Sequence, residues 1–147
     1  MAINGFLEGL ELDSRGRTFD SILSYSDEDT ETIHNFIQWV FPLDEASRAV
    51  AGSPVLSKSD IAEIRANSTS KIYLTRASAW YLGFLNRNRH WVTKYDHNHL
   101  RITRVIKSLR LLVGDFEADD FRVKVFVLLG DEKSKIDLKA VSFWTEA

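Results

Sequence analysis

Six aliphatic residues between Ile102 and Val113 (Ile102, Val105, Ile106, Leu109, Leu112, Val113) share one side of a helix. At 100° per residue they occupy an arc of about 120°. A stripe this regular has to be buried, so the rest of the chain must supply elements that pack against it. Arg101, Arg104 and Ser108 stand together on one border of the stripe, while Thr103, Lys107 and Arg110 point toward solvent. A border arginine lays its stem on the core and needs a partner for its guanidinium, because an unpaired, desolvated charge is costly. One such partner is a carboxylate from elsewhere in the fold, with Asp27, Asp29 and Glu31 as candidates. The other is an anionic ligand.

The elements around this helix are read from caps and spacing. Thr18 caps a short helix carrying Phe19, Ile22 and Leu23. Ser26 opens a longer one, with Asp27, Glu28 and Asp29 at its positive end. Its apolar spacing runs Ile33, Phe36, Ile37, Val40, and Pro42 stops it. On that helix His34 and Gln38 form a border pair, with Trp39 on the far side. Residues 44–56 read as a loop, and Ser57 caps a helix through Ile61 and Ile64. Asn67 to Ser70 is a turn or cap before a helix over 70–85, in which Ile72, Ala79 and Trp80 share a face. Residues 86–96 are irregular, Asn98 caps the central helix, and Gly114 ends it. Residues 115–129 alternate like a strand, but also fit a helix with Phe116, Val123 and Val127 on one stripe. A lone strand has no partner in this chain, so the helix is preferred. Residues 137–145 form a terminal helix.

Composition narrows the chemistry. The 147 residues include no cysteine, which excludes disulfides, thiolate metal sites and cysteine nucleophiles. No run approaches the roughly 18 apolar residues of a membrane span. Met1 to Leu12 holds two glutamates and no basic residue, so it is not a secretory signal, and a cytoplasmic protein is expected. The net charge of −2 hides an uneven distribution. Residues 1–31 are strongly acidic, and residues 86–110 hold seven basic residues against Asp96 alone. The basic stretch either pairs with the acidic one or meets an anionic partner. Nucleic acid is one such partner: Arg87, Arg89 and Lys94 would contact phosphates, with Trp91 and Tyr95 stacking on bases.

His97 and His99 are two residues apart and, with His34, could assemble a site in space. No metal-ligand spacing, glycine-rich phosphate loop or nucleophile elbow accompanies them, so no metal, cofactor or catalytic residue is assigned. A histidine acid–base site with Arg101 or Arg104 holding an anion is a further alternative.

Two segments carry a resemblance. Thr30 to Leu43, TETIHNFIQWVFPL, resembles the H-x-[FY]-I-Q-W-[LV]-F-P-L signature of the opioid growth factor receptor conserved region. His97 to Leu112, HNHLRITRVIKSLRLL, resembles its second signature, H-N-x-L-R-I-T-R-[IV]-x-x-S-L. Gly16-Arg17-Thr18 and Phe143-Trp144 look like the compact bacterial members. The resemblance implies an all-helical domain, and in animal relatives a receptor for an enkephalin peptide. The Val113-Gly114 junction and the valine-rich 123–127 stretch depart from the usual pattern. The expectation is therefore a single domain over 1–147, a compact orthogonal all-α fold of six or seven helices, acting as a binding or interaction module. Its expected surface brings His34, Gln38 and Trp39 together with His97, Asn98, Arg101 and Arg104. The expected partner is a peptide, a protein or a small anionic ligand.

Overall fold

The computed structural model describes residues 3–147; Met1 and Ala2, part of the expected domain, lie outside the described residues. The fold is all-α. Nine α-helices are present among the described residues: α1 (Ile3–Leu7), α2 (Phe19–Leu23), α3 (Asp27–Thr32), α4 (Ile37–Val40), α5 (Lys58–Arg65), α6 (Ser68–Arg87), α7 (His97–Leu112), α8 (Asp115–Leu129) and α9 (Leu138–Glu146). Short 3-10 turns at Arg89–Trp91 and Gly130–Lys135 join α6 to α7 and α8 to α9. The count exceeds the expected six or seven because α1 is added and the predicted helix from Ser26 to Val40 is broken in two.

The predicted caps form because they are local chemistry. Thr18, Ser26 and Asn67 accept backbone N–H groups at the starts of α2, α3 and α6. Ser57 and Asp60 make a reciprocal capping box at α5. Asn98 is the exception. Asp96 caps α7 by accepting the Asn98 N–H, and Asn98 is fully buried inside the first turn. Gly114 follows α7 as expected, and its N–H returns to the Leu109 carbonyl at 2.9 Å.

α7 is the hub, in contact with α5, α6, α8 and α9. Ile102, Val105, Ile106, Leu109 and Leu112 are completely buried, as their spacing requires. Aromatic side chains from both ends of the chain close the core around them, including Phe6, Phe19, Phe84, Trp91 and Trp144. α6 and α8 pack differently from expectation. α6 buries Leu74, Ala77, Tyr81, Phe84 and Leu85, leaving Ile72 and Ala79 exposed and Trp80 half-buried. α8 buries Ala118, Phe121, Val125 and Leu129, and turns Phe116, Val123 and Val127 to solvent. Both helices are apolar on more than one side, and contact with α7 selects the side that is buried. Among the described residues no helix is long and apolar enough to cross a membrane.

Candidate functional site

The two signature segments meet along one side of α7. Arg101 donates to the carbonyls of Thr30 at 2.6 Å and Ile33 at 2.9 Å, with its guanidinium 5.3 Å from the Phe36 ring centre. One turn on, Arg104 Nε donates to the Phe41 carbonyl at 2.8 Å. A further turn on, Ser108 Oγ donates to the Pro42 carbonyl at 2.9 Å. Spacings of three and four residues align these donors on one border of the helix. Their acceptors are carbonyls freed where α3 ends, where α4 ends and where Pro42 forbids helix. The internal partners expected for the arginines, as the alternative to an anionic ligand, were carboxylates; the internal partners found are backbone oxygens. Burial pushes Arg104 down to about 10, and its Nη2 is buried without a partner.

This clamp explains the broken helix. Ile33 is extended, at φ −88° and ψ 122°, and its carbonyl goes to Arg101 instead of continuing α3. His34 and Gln38 therefore do not form an i, i+4 pair. His34 is exposed and Gln38 is buried, its Oε1 without a partner. Trp39 is also buried, edge-on to Phe6 at 5.5 Å.

Asn98 organises the start of α7. Its Oδ1 accepts from the buried Tyr81 hydroxyl at 2.6 Å, and its Nδ2 donates to Glu31 at 3.0 Å and Asp96 at 2.9 Å. Burial drives the Tyr81 hydroxyl far above its ordinary range. Glu31 then bridges two imidazoles at the surface. One oxygen is 2.5 Å from His97 Nε2, and the other meets His90 Nε2. The His34 ring stands edge-on to His97 at 5.1 Å. Burial first, then Arg101 and His97, lower the affinity of His34 for its proton, against the pull of Glu31. His99 takes no part: it is buried, with Nε2 2.7 Å from the Trp91 carbonyl and its ring against Trp144. His90 escaped the sequence reading because only the tertiary fold sets it beside Glu31.

The basic stretch is largely spent on internal partners. Arg87 takes Asp27 through two nitrogens, at 3.1 and 2.9 Å, and this pairing holds the Asp27 carboxyl below its usual range. Arg89 donates to the Leu128 carbonyl and Glu132, Lys107 reaches Glu45, and Arg110 joins Asp115 and Asp119. Trp91 cannot stack on a base as expected. It is wholly buried, and its indole N–H donates to the Leu85 carbonyl at 2.8 Å. Lys94 and Tyr95 are at the surface, with the ammonium 5.3 Å from the ring centre.

A shallow groove of about 480 Å³ opens beside the start of α7. Tyr95, Leu100 and Phe143 line it and are all exposed, Ala140 and buried His99 complete its floor, and Asp96, Asp137 and Lys139 stand around it. Of the residues expected to contact a ligand, His97 lines it; His34, Gln38 and Arg104 do not. Asp137 begins α9 without using its carboxylate as a cap. None of Leu100, Asp137 and Phe143 was singled out as a site residue from sequence. The available signal was the position of Leu100 on the polar side of the helix, opposite the aliphatic stripe.

The structure thus defines an all-α domain in which a polar border of one helix fixes a distant irregular segment. Sequence comparison finds it similar to the opioid growth factor receptor of Mus musculus, 31% identical over 97 residues. The match takes in 54% of this chain but 15% of that receptor, so the chain spans a small part of the relative's length. It supports a distant relationship. No family model matches the chain, and no solved structure matches it.

Proposed function

We propose that this chain is a binding domain whose groove between the start of α7 and α9 receives a peptide segment bearing an apolar side chain beside a cationic group. The observation that carries it is the gathering of Tyr95, Leu100 and Phe143, all solvent-exposed, around one concavity. Exposed aromatic and aliphatic groups in a concave site are the usual anchors for a partner's side chain. The charges supply the second half of the specificity. Two carboxylates, Asp96 and Asp137, stand against Lys139, and Asp137 has no capping duty. The match to a protein named a growth factor receptor supports the same class of function.

The residues first expected to touch the ligand then divide into two roles. His97 lines the groove. Asn98, Arg101 and Arg104 position it by fixing the helix that presents Leu100, and His34 backs His97. Gln38 and Trp39 are buried and do not line the groove.

Panning a phage library of short random peptides on the intact chain tests this. The expected enrichment is a basic residue close to an aromatic or leucine residue. Fluorescence anisotropy with an enriched peptide should show at least tenfold weaker binding to Phe143→Ser, and a loss of preference for the basic residue in Asp137→Asn. Enrichment that is unchanged in both variants would place the binding elsewhere, and no enrichment at all would end the proposal.

A further inference from the structure

His97 lines the groove and at the same time belongs to a cluster of imidazoles. Glu31 joins it to His90, and the His34 ring stands against its own. Histidine is the side chain whose charge ordinarily changes between pH 5 and 8. The side chains of His90 and His97 are 46% and 41% exposed, so protons from solvent reach both. His97 faces a different carboxylate with each ring nitrogen. Nε2 is 2.5 Å from Glu31, and Nδ1 is 4.0 Å from Oδ1 of Asp96. A neutral imidazole carries one proton, which the nearer carboxylate draws to Nε2. The Nδ1 lone pair is then left toward Asp96. A second proton puts an N–H there too and makes His97 a cation between two carboxylates. Asp96 also lines the groove, so the carboxylate that charged His97 would take is one that a ligand's cation needs.

Building on the groove as a site for a peptide with a cationic group, we infer that it holds this ligand at neutral pH and releases it on mild acidification, with His97 as the switch. Charged His97 acts in two ways. It engages Asp96 from within the chain, and it sets a positive charge in the groove wall against the ligand's own. His90 adds a second charge behind it, across Glu31. The surrounding elements supply the background. Glu31 comes from α3, Asp96 caps α7, Arg101 follows one turn along it, and Asp137 and Lys139 come from the start of α9. Carboxylates, ammonium groups and guanidinium groups ordinarily titrate outside pH 5–8, which leaves the imidazoles to change the balance. With both imidazoles neutral, these three carboxylates outnumber the two cations; with His90 and His97 charged, the excess is reversed. His34 takes a proton less readily, through burial first and then Arg101 and His97, so it follows rather than leads. His99, in the floor, keeps its Nε2 on the Trp91 carbonyl. Linkage is reciprocal: a bound cation in turn resists the charging of His97.

Fluorescence anisotropy on the intact chain tests the switch. The probe is a panned peptide whose cation is arginine, free of histidine and labelled at its N-terminus with a rhodamine, so that the protein alone titrates. Binding should be about tenfold weaker at about pH 5.5 than at about pH 7.5. In His97→Gln that ratio should fall below about two, whatever the affinity at pH 7.5, because the amide still donates to Glu31 but gains no charge. His34→Asn should keep most of the ratio. Equal affinity at both pH values in the wild type, a ratio unchanged in His97→Gln, or a loss of far-UV circular dichroism at pH 5.5 that matches the loss of binding would each overturn the switch and leave the groove as a peptide site. Failure of panning to yield a peptide, or binding indifferent to Phe143→Ser, would instead remove the peptide site and the switch together.

Discussion

Leu100 and Arg101 are neighbours in the first turn of α7, yet Leu100 is 70% exposed and Arg101 is 5% exposed. The helix turns them about 100° apart, and they serve opposite regions. Arg101 belongs to the clamp that holds residues 30–42, where charge is spent on the interior. Leu100 belongs to the groove with Tyr95 and Phe143, where apolar surface is held out to water. A buried guanidinium is tolerated because two carbonyls and an aromatic face replace its water. An exposed leucine beside exposed aromatics has no such structural duty. Polarity alone therefore misassigns both residues: the charged one is architectural, and the apolar one is the better candidate for contact with a partner.

Substitutions can break that contrast, beginning with the clamp. Arg101→Ala removes two charge-assisted hydrogen bonds and strands the Thr30 carbonyl in a site that is almost fully buried. The expected loss is about 3 kcal/mol, measured by urea unfolding. Arg101→Lys should not recover it, since an ammonium cannot span both carbonyls as the planar fork does. A full recovery by lysine would show that charge, not geometry, matters here. Ser108→Ala strands only the Pro42 carbonyl, so about 1–2 kcal/mol is expected from the same measurement. Leu100→Ser should shift stability by less than about 0.5 kcal/mol, because its side chain is already in water. A large loss would move Leu100 into the same structural class as Arg101.

The smallest effect concerns pH. His34 binds its proton less readily in the folded chain than in the unfolded one. Between the two titration points the unfolded state carries more protons, so stability rises with pH. The contribution is present above the ordinary histidine range, near pH 6.5, and is lost as pH falls toward the folded value. Acidification from about pH 7.5 to about 5.5 should therefore lower the unfolding midpoint less in His34→Asn than in the wild type. Equal losses would show that burial, Arg101 and His97 together leave the proton affinity of His34 unchanged on folding.

The parts of the fold that were legible in the sequence are those set by nearby residues. Thr18, Ser26, Ser57 and Asn67 cap helices because their side-chain oxygens reach N–H groups two or three residues on. The apolar stripe of α7 was legible because its opposite face is charged. The break at Ile33 was not, because the group that stabilises it, Arg101, lies 68 residues further along the chain. Separations nearly as long hid the meeting of Glu31 with His90 and His97.

By itself the sequence determined an all-helical chain, the position of its central helix and the need of Arg101 and Arg104 for buried partners. Short-range hydrogen bonding and helical periodicity act within a few residues, so composition and order suffice for them. Only the tertiary structure decided that those partners are carbonyls, that Gln38 and Trp91 turn inward, and that α8 offers Phe116, Val123 and Val127 to solvent. α6 and α8 each carry two apolar sides, and a helix with two such sides has no preference of its own. Contact with α7 makes the choice, and the side left over faces solvent.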